Sequence, residues 1–258
     1  MGQEKTFIVF RKAPGEDQPK YQRYTIPITP SMTILEALFY IQDHLDTTLA
    51  FRYACRGAIC GSCGMTINKL PQLACNIQVL SLDKKIPQQV PDLVFGDVPN
   101  WDKENEILIE PLPNMEIIKD LVVDMAPFWQ FYREVKPFFD KEWKDVAPET
   151  QQSPKEIKEI ERLIYCILCA ACVGACPVNA KNKEYLGPAA LAKSYRFLAD
   201  SRSTKEHREE IEKRIVLQDG VPACEKVFAC NAVCPKGVKP GTAIALIRKR
   251  MEERDRTF

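Results

Sequence analysis

"CILCAACVGACP", Cys166 to Pro177, spaces its cysteines C-x₂-C-x₂-C-x₃-C-P. Thiolates at the first three positions of such a run hold three corners of a cubane iron–sulfur cluster. The last, ahead of proline, ligates the other cluster in two-cluster ferredoxins. The run therefore calls for a second one. "CEKVFACNAVCP", Cys224 to Pro235, is that partner, the third run in chain order, with one change: Cys224, Cys230 and Cys234 keep their places, but Val227 stands where the middle thiolate belongs. Each run completes the other. Cys166, Cys169 and Cys172 take Cys234 and make a full [4Fe-4S] ligand set. Cys176, Cys224 and Cys230 supply three thiolates, which suits a [3Fe-4S] cluster, a cubane lacking the iron at the Val227 corner. The competing reading makes Val227 a packed apolar residue and keeps a fourth iron there, held by another group such as water.

Upstream, "ACRGAICGSCGM" spaces Cys55-x₄-Cys60-x₂-Cys63, and Cys75 follows. This is the plant-type [2Fe-2S] pattern. Gly57, Gly61 and Gly64 are expected to let the backbone approach the sulfurs without a Cβ clash. A structural zinc fits the x₄-then-x₂ spacing poorly. The three sets use all 11 cysteines. An odd number of cysteines in a chain with no export signal argues against a disulfide framework. The 2 histidines, His44 and His207, lie far in sequence from every cysteine set. That argues against Rieske ligation, a Cys/His zinc finger and a bis-His haem.

With 36 Lys and Arg against 35 Asp and Glu, no net field suggests a nucleic-acid or anionic-membrane partner. "STKEHREEIEKR" (203–214) and "RKRMEERDR" (248–256) mix signs at helical spacing and read as solvated helix faces. The opening "MGQEKTFIVF" has neither signal-peptide nor transit-peptide character. The longest uncharged run, Leu163–Ala180, contains cysteines, a glycine and a proline, so no membrane helix is expected.

At 258 residues, two domains are expected. In the first, "TFIVFRK" (6–12) and "YQRYTIPI" (21–28) flank a turn-rich "APGEDQP". Thr33 and Glu36 make a capping box for a helix with Ile34, Leu38, Ile41 and Leu45 on one face. Strands are expected at "GMTIN" (64–68) and "CNIQVL" (75–80), separated by "KLPQLA". The pattern suggests a small mixed sheet with one covering helix. Beyond Pro113, helices are expected at 115–125, 127–139, 154–165, 188–200, 203–217 and 241–253, with Ser153-Pro154-x-Glu156 as a start signal. The string Phe128, Trp129, Phe131, Tyr132, Phe138, Phe139 reads as core or subunit interface. The fold class is α+β, with domains at 1–112 and 113–258.

No G-x-G-x-x-G follows a strand, and the histidine count leaves no credible Ser/His/Asp set. Three clusters without a substrate motif describe an electron conduit, which implies partner chains. "CRGAICGSCGM…LAC", "CILCAACVGACP" and "CEKVFACNAVCPKG", with "LVVDM" (121–125) and "GPAALAKSYRFLADSR" (187–202), resemble the iron–sulfur subunit of succinate dehydrogenase/fumarate reductase over nearly the whole chain. The resemblance implies an N-terminal β-grasp ferredoxin domain with the two-iron cluster and an α-helical ferredoxin domain with the other two. It implies the same ligand partition. It also implies electron passage between the FAD of a flavoprotein subunit and a quinone at membrane anchor subunits, which in some members carry haem. The chain would sit on the cytoplasmic face of a prokaryotic membrane, held through the anchors.

The stretch after Pro177, "VNAKNKEYLGP", lacks the tryptophan of ubiquinone-linked relatives, and Glu225 stands where those have histidine. The pattern resembles menaquinone-linked members. Arg248 falls where relatives often place a basic residue near the quinone. The direction of turnover, succinate oxidation or fumarate reduction, stays open. A soluble iron–sulfur carrier, or a subunit serving a non-quinone acceptor as in heterodisulfide- or glycolate-oxidase-type complexes, is the alternative from another class.

Overall fold

The computed structural model describes residues 3–16, 18–82, 86–91, 95, 98, 100–140 and 150–255. β1 (Glu4–Arg11) and β2 (Lys20–Pro27) pair antiparallel in an unbroken register, from Glu4 opposite Pro27 to Arg11 opposite Lys20. Phe7, Ile8, Val9 and Phe10 are all buried. A continuous apolar run of this kind belongs to an inner strand covered on both faces. α1 (Ile34–His44) packs Ile34, Leu35, Leu38 and Ile41 against that sheet. Its capping box forms as expected: the Glu36 N–H donates to Thr33 Oγ1 at 3.2 Å, and the Thr33 N–H donates to the Glu36 carboxylate at 2.7 Å.

β3 (Gly64–Ile67) and β4 (Leu70–Leu73) form a second hairpin about Asn68 and Lys69, with φ of 46° and 67°. Two consecutive positive φ values are the tight turn whose twist matches paired strands. Strand β4 lies inside "KLPQLA", expected to be a spacer. Its Pro71 is tolerated because β4 is the sheet edge, where a missing N–H breaks no ladder. The strand expected at 75–80 does not form: Ala74–Asn76 is a 3₁₀ turn that buries Cys75, and Gln78 makes a single bridge to Thr33.

β5 (Glu106–Glu110), a strand the sequence reading lacked, is the middle of the sheet. It runs parallel to β1 and antiparallel to β3, giving the order β2-β1-β5-β3-β4. Its buried Glu110 accepts from Lys69 Nζ at 3.1 Å and from the Tyr21 hydroxyl at 2.6 Å. A mixed sheet wrapped around one helix is the β-grasp arrangement.

Residues 115–125 are not a helix. β6 (Ile117–Lys119) and β7 (Val122–Val123) turn back on each other through Asp120, at φ 47°. The Asp120 carboxylate is buried and accepts from Arg11 Nε, the Lys12 N–H and the Ala50 N–H, each at 3.0 Å. Met115, Ile118, Val122 and Met125 imitate helical spacing, but those three donors hold the turn. α2 (Ala126–Glu134) is shorter than expected and ends before Lys136, at φ 45°. Of the aromatic string, Phe128 is buried while Trp129, Phe138 and Phe139 are exposed.

The rest is helical. α3 (Pro154–Ile164) starts on the Ser153 capping box. α4 (Ala171–Gly174) and α5 (Pro177–Lys181) are short turns inside and after the second cysteine run. α6 (Gly187–Ala199) and α7 (Lys205–Ile215) follow close to their expected bounds. α8 (Ala229–Ala232) lies in the third run, and α9 (Pro240–Asp255) closes the fold. Tyr185, Leu191, Phe197, Ile211, Ile215 and Ile244 form this core. Leu112, Val123, Phe128, Ala170 and Ala189 join sheet to helices in one buried cluster. Among the described residues no helix is long and apolar enough to cross a membrane.

Candidate iron–sulfur sites

The loop from Cys55 to Cys63 curls because Arg56 and Ala58 take φ of 56° and 57° on either side of Gly57. Alternating right- and left-handed residues turn successive N–H groups to one side, a concavity that receives anionic atoms. The N–H groups of Gly57, Ile59 and Cys60 each donate to Cys55 Sγ at 3.3 Å. The Ala58 N–H reaches Cys75 Sγ at 3.3 Å, which brings the distant fourth cysteine to the same loop. The Cys55 N–H and Ser62 stabilise the Cys60 thiolate and lower its pKa to about 6. Burial and the nearby Cys75 push Cys63 up to about 12. Cys55 and Cys60 are exposed and Cys63 and Cys75 buried, so the site has an open rim, with Ile59 65% exposed beside it.

The second and third runs repeat one backbone. Leu168 and Ala170, at φ 55° and 61°, match Lys226 and Phe228, at 59° and 63°. α4 then matches α8, each starting on that second left-handed residue. Superposed by this pattern, Cys166 falls with Cys224, Cys172 with Cys230, Cys176 with Cys234, and Cys169 with Val227.

Cys166, Cys169, Cys172 and Cys234 line one cavity, walled by Ala189 and Ala192 of α6. The Val238 N–H donates to Cys234 Sγ at 3.4 Å. Burial and the neighbouring sulfurs push Cys169 up to about 11, and Cys172 is raised by its desolvation and by the sulfurs around it. Cys176, Cys224 and Cys230 gather beside the buried Tyr185 phenol. Burial, then Cys176 and Cys224, push Cys230 up to about 12. Backbone N–H groups of Asn179 and Val178 face Cys176. Thiols that sit this close and resist ionisation fit a cationic iron core that would hold them as thiolates. Among the described residues no three His, Cys, Asp or Glu side chains close on a point where a single metal ion would sit.

The three sets are in register with one another. A Cβ on Gly61 would lie 2.9 Å from Cys169 Cα and Cβ, and one on Gly64 would lie 2.9 Å from the Cys169 carbonyl oxygen. These glycines serve the contact between the first and second loops, whereas the sequence reading gave them to the sulfurs alone. Gly57 meets nothing closer than 3.7 Å. Cys172 in turn feels Cys230 of the third set. Val227 and Phe228, at the far end, are partly exposed, as is Leu246 on α9.

Several supporting residues carried no sequence signal. Asn114 Nδ2 donates to the carbonyls of Val173 (2.8 Å), Gly174 (3.2 Å) and Cys176 (2.9 Å). Gly241 presses on the third set, since a Cβ there would lie 3.2 Å from Cys230 Sγ. Arg248, by contrast, was expected near the quinone; it is part-buried, and its Nη2 donates to the carbonyls of Val221 at 2.9 Å and Cys224 at 3.1 Å. Its guanidinium therefore braces the start of the third loop.

Residues 6–130 match the family described as a 2Fe-2S iron-sulfur cluster binding domain, and residues 162–238 match the 4Fe-4S dicluster domain. The chain is 39% identical over 235 residues to a fumarate reductase iron-sulfur subunit of Mycobacterium tuberculosis, covering 89% of this chain and 85% of that one. It is 35% identical over 254 residues to the mitochondrial succinate dehydrogenase [ubiquinone] iron-sulfur subunit of Candida glabrata, covering 96% and 91%. A chain of the Mycobacterium smegmatis Sdh1 complex in the apo form shares the fold, with a TM-score of 0.81 at 20% identity over 98% of both chains.

Proposed function

The chain belongs to the iron–sulfur subunits of succinate dehydrogenase and fumarate reductase, and on that premise we propose that it relays electrons between the FAD of a flavoprotein subunit and a quinone, menaquinone by its sequence pattern, at membrane anchor subunits. In this reading Cys55, Cys60, Cys63 and Cys75 hold a [2Fe-2S] cluster. Cys166, Cys169, Cys172 and Cys234 hold a [4Fe-4S] cluster, and Cys176, Cys224 and Cys230 hold a [3Fe-4S] cluster. The first unit spans 1–112 and the second 113–258. Clusters of these kinds supply one-electron acceptor sites whose potentials depend on charge, burial and hydrogen bonds to sulfur.

What supports the reading is that neighbouring thiol groups adjoin in turn: the first loop packs on Cys169, and Cys172 lies within electrostatic reach of Cys230. The chain's own work is positional. Its backbone N–H groups donate to the sulfurs and favour the more negative state of each site. Gly61 and Gly64 bring the first and second loops into backbone contact. Burial of Cys176 and Cys230 keeps water from the third thiol group. The rim beside Ile59 is the face for the flavoprotein. The Val227 and Phe228 face is the one for quinone and anchors, with Glu225 and the braced Arg248 behind it. The anchors would hold the chain on the cytoplasmic face of a prokaryotic membrane.

The test is purification of the native membrane complex with succinate–quinone and quinol–fumarate turnover measured side by side. The reading expects a flavoprotein and an anchor to co-purify, with succinate oxidation the faster direction. Faster fumarate reduction assigns the same relay to the reverse reaction. Isolation as a free carrier without a flavoprotein contradicts it.

A further inference from the structure

α6 carries more than packing toward the second thiol group. Ala189 and Ala192 line the cavity of Cys166, Cys169, Cys172 and Cys234. Lys193 follows one turn after Ala189, and side chains four apart on a helix share a face. The other cations here are matched: Arg196 pairs with Asp200 at 3.1 Å, and Arg202 pairs with the same carboxylate at 2.8 Å. Lys193 is half-buried, and its side chain forms no hydrogen bond or ion pair among the described residues. Burial disfavours its ammonium form, Cys166 favours it, and Arg196 opposes it. A half-buried ammonium without a counter-charge is costly unless an anion lies nearby. The group that favours its charge is Cys166, one of the four thiols that would carry cluster charge as thiolates.

We propose that Lys193 is the counter-charge of the Cys166–Cys169–Cys172–Cys234 site, a positioning cation that stabilises the reduced state of the cluster held there and so raises its reduction potential. The proposal rests on the ligand assignment above. One-electron reduction adds one negative charge at the site with no bond made or broken, and a fixed cation beside Cys166 lowers the free energy of that state. Of the cysteines, only Cys166 shapes its ionisation.

The experiment is a redox titration of the anaerobically purified complex, followed by electron paramagnetic resonance, with Lys193→Gln, Lys193→Met and Lys193→Arg. Removing the charge should shift the reduced-to-oxidised ratio of the four-iron signal about tenfold at fixed potential, or ~59 mV downward for one electron. That is the order expected of one half-buried charge at an effective dielectric of about 20. Lys193→Arg should restore the parent midpoint, and the two-iron and three-iron midpoints should not move. Iron per chain is measured alongside; if Lys193→Met loses iron, the Gln and Arg variants decide. An unmoved four-iron midpoint in Lys193→Gln overturns the proposal, as does a fall in Lys193→Arg equal to that in Lys193→Gln. Absence of a four-iron signal from the unsubstituted complex overturns the ligand assignment, and the proposal with it.

Discussion

Alanine at each of three glycines separates backbone freedom from loop contact. Gly61 has φ +75°, and its added Cβ would lie 2.9 Å from Cys169 Cα, Cys169 Cβ and the Ile167 carbonyl oxygen. Gly64 has no left-handed φ, but its Cβ would lie 2.9 Å from the Cys169 carbonyl oxygen. Gly57 has neither problem, its nearest neighbour being 3.7 Å away. A methyl forced against backbone costs roughly 1–3 kcal/mol. A left-handed alanine adds roughly 1–2 kcal/mol. Gly64→Ala should therefore lose about 1–3 kcal/mol and Gly61→Ala about 2–5 kcal/mol, while Gly57→Ala stays within about 0.5 kcal/mol. To relieve either contact the first loop must also withdraw from Cys169, so electron transfer between the first and second sites should slow in Gly64→Ala and not in Gly57→Ala. Denaturant unfolding of the cluster-loaded chain reads the first quantity, and freeze-quench resonance after a reducing pulse reads the second. Equal losses at Gly57 and Gly64 would refute the argument that the two loops meet through these glycines.

Val227→Cys supplies the thiolate missing from the third run, so iron should rise from about nine to about ten per chain and the three-iron signal should give way to a four-iron one; unchanged iron content would show that the valine does not set the cluster type. Asp46 gives a pH prediction. Burial acts to raise its pKa, but hydrogen bonds from Thr48, Tyr24 and Arg11 outweigh that and hold the carboxyl well below the usual range. A depressed folded-state pKa contributes stability that is present above the unfolded value of about 3.9 and is lost as pH falls toward the folded value. Asp46→Asn should cost roughly 1.5–3 kcal/mol at pH 7. In urea unfolding followed by circular dichroism, the gap to the parent should shrink as pH drops from about 5 to about 3; a gap constant with pH would remove Asp46 as the titrating group.

The cysteine runs were readable because ligand spacing is local: three thiols on one curled loop need fixed intervals and nothing else. Thr33 with Glu36 and Ser153 with Glu156 were readable for the same reason, since a capping box is complete within four residues. Elements whose stability is tertiary were not. β5 is five residues long and ends in Glu110, an acid that is buried only because Lys69, from the turn between β3 and β4, and Tyr21, from β2, reach it. β4 contains a proline that only an edge position allows. The hairpin of β6 and β7 has helix-like spacing, and what overrides it is Asp120 accepting from Arg11, more than a hundred residues earlier. The glycines were expected to let the backbone approach the sulfurs, but Gly61 and Gly64 instead meet Cys169, in the other half of the chain, and Gly57 meets nothing closer than 3.7 Å. Asn114 had no motif at all, and nothing in the 187–202 stretch marked Lys193 within it; each matters through its surroundings.

The account turns on iron–sulfur clusters of three kinds in one chain, and a redox titration of anaerobically isolated protein, with iron and acid-labile sulfide counted on the same sample, tests that most directly. It predicts three separate paramagnetic centres: a two-iron and a four-iron signal on reduction, and a three-iron signal on oxidation, with about nine irons per chain. Fewer than three centres, or zinc in place of iron, would contradict it.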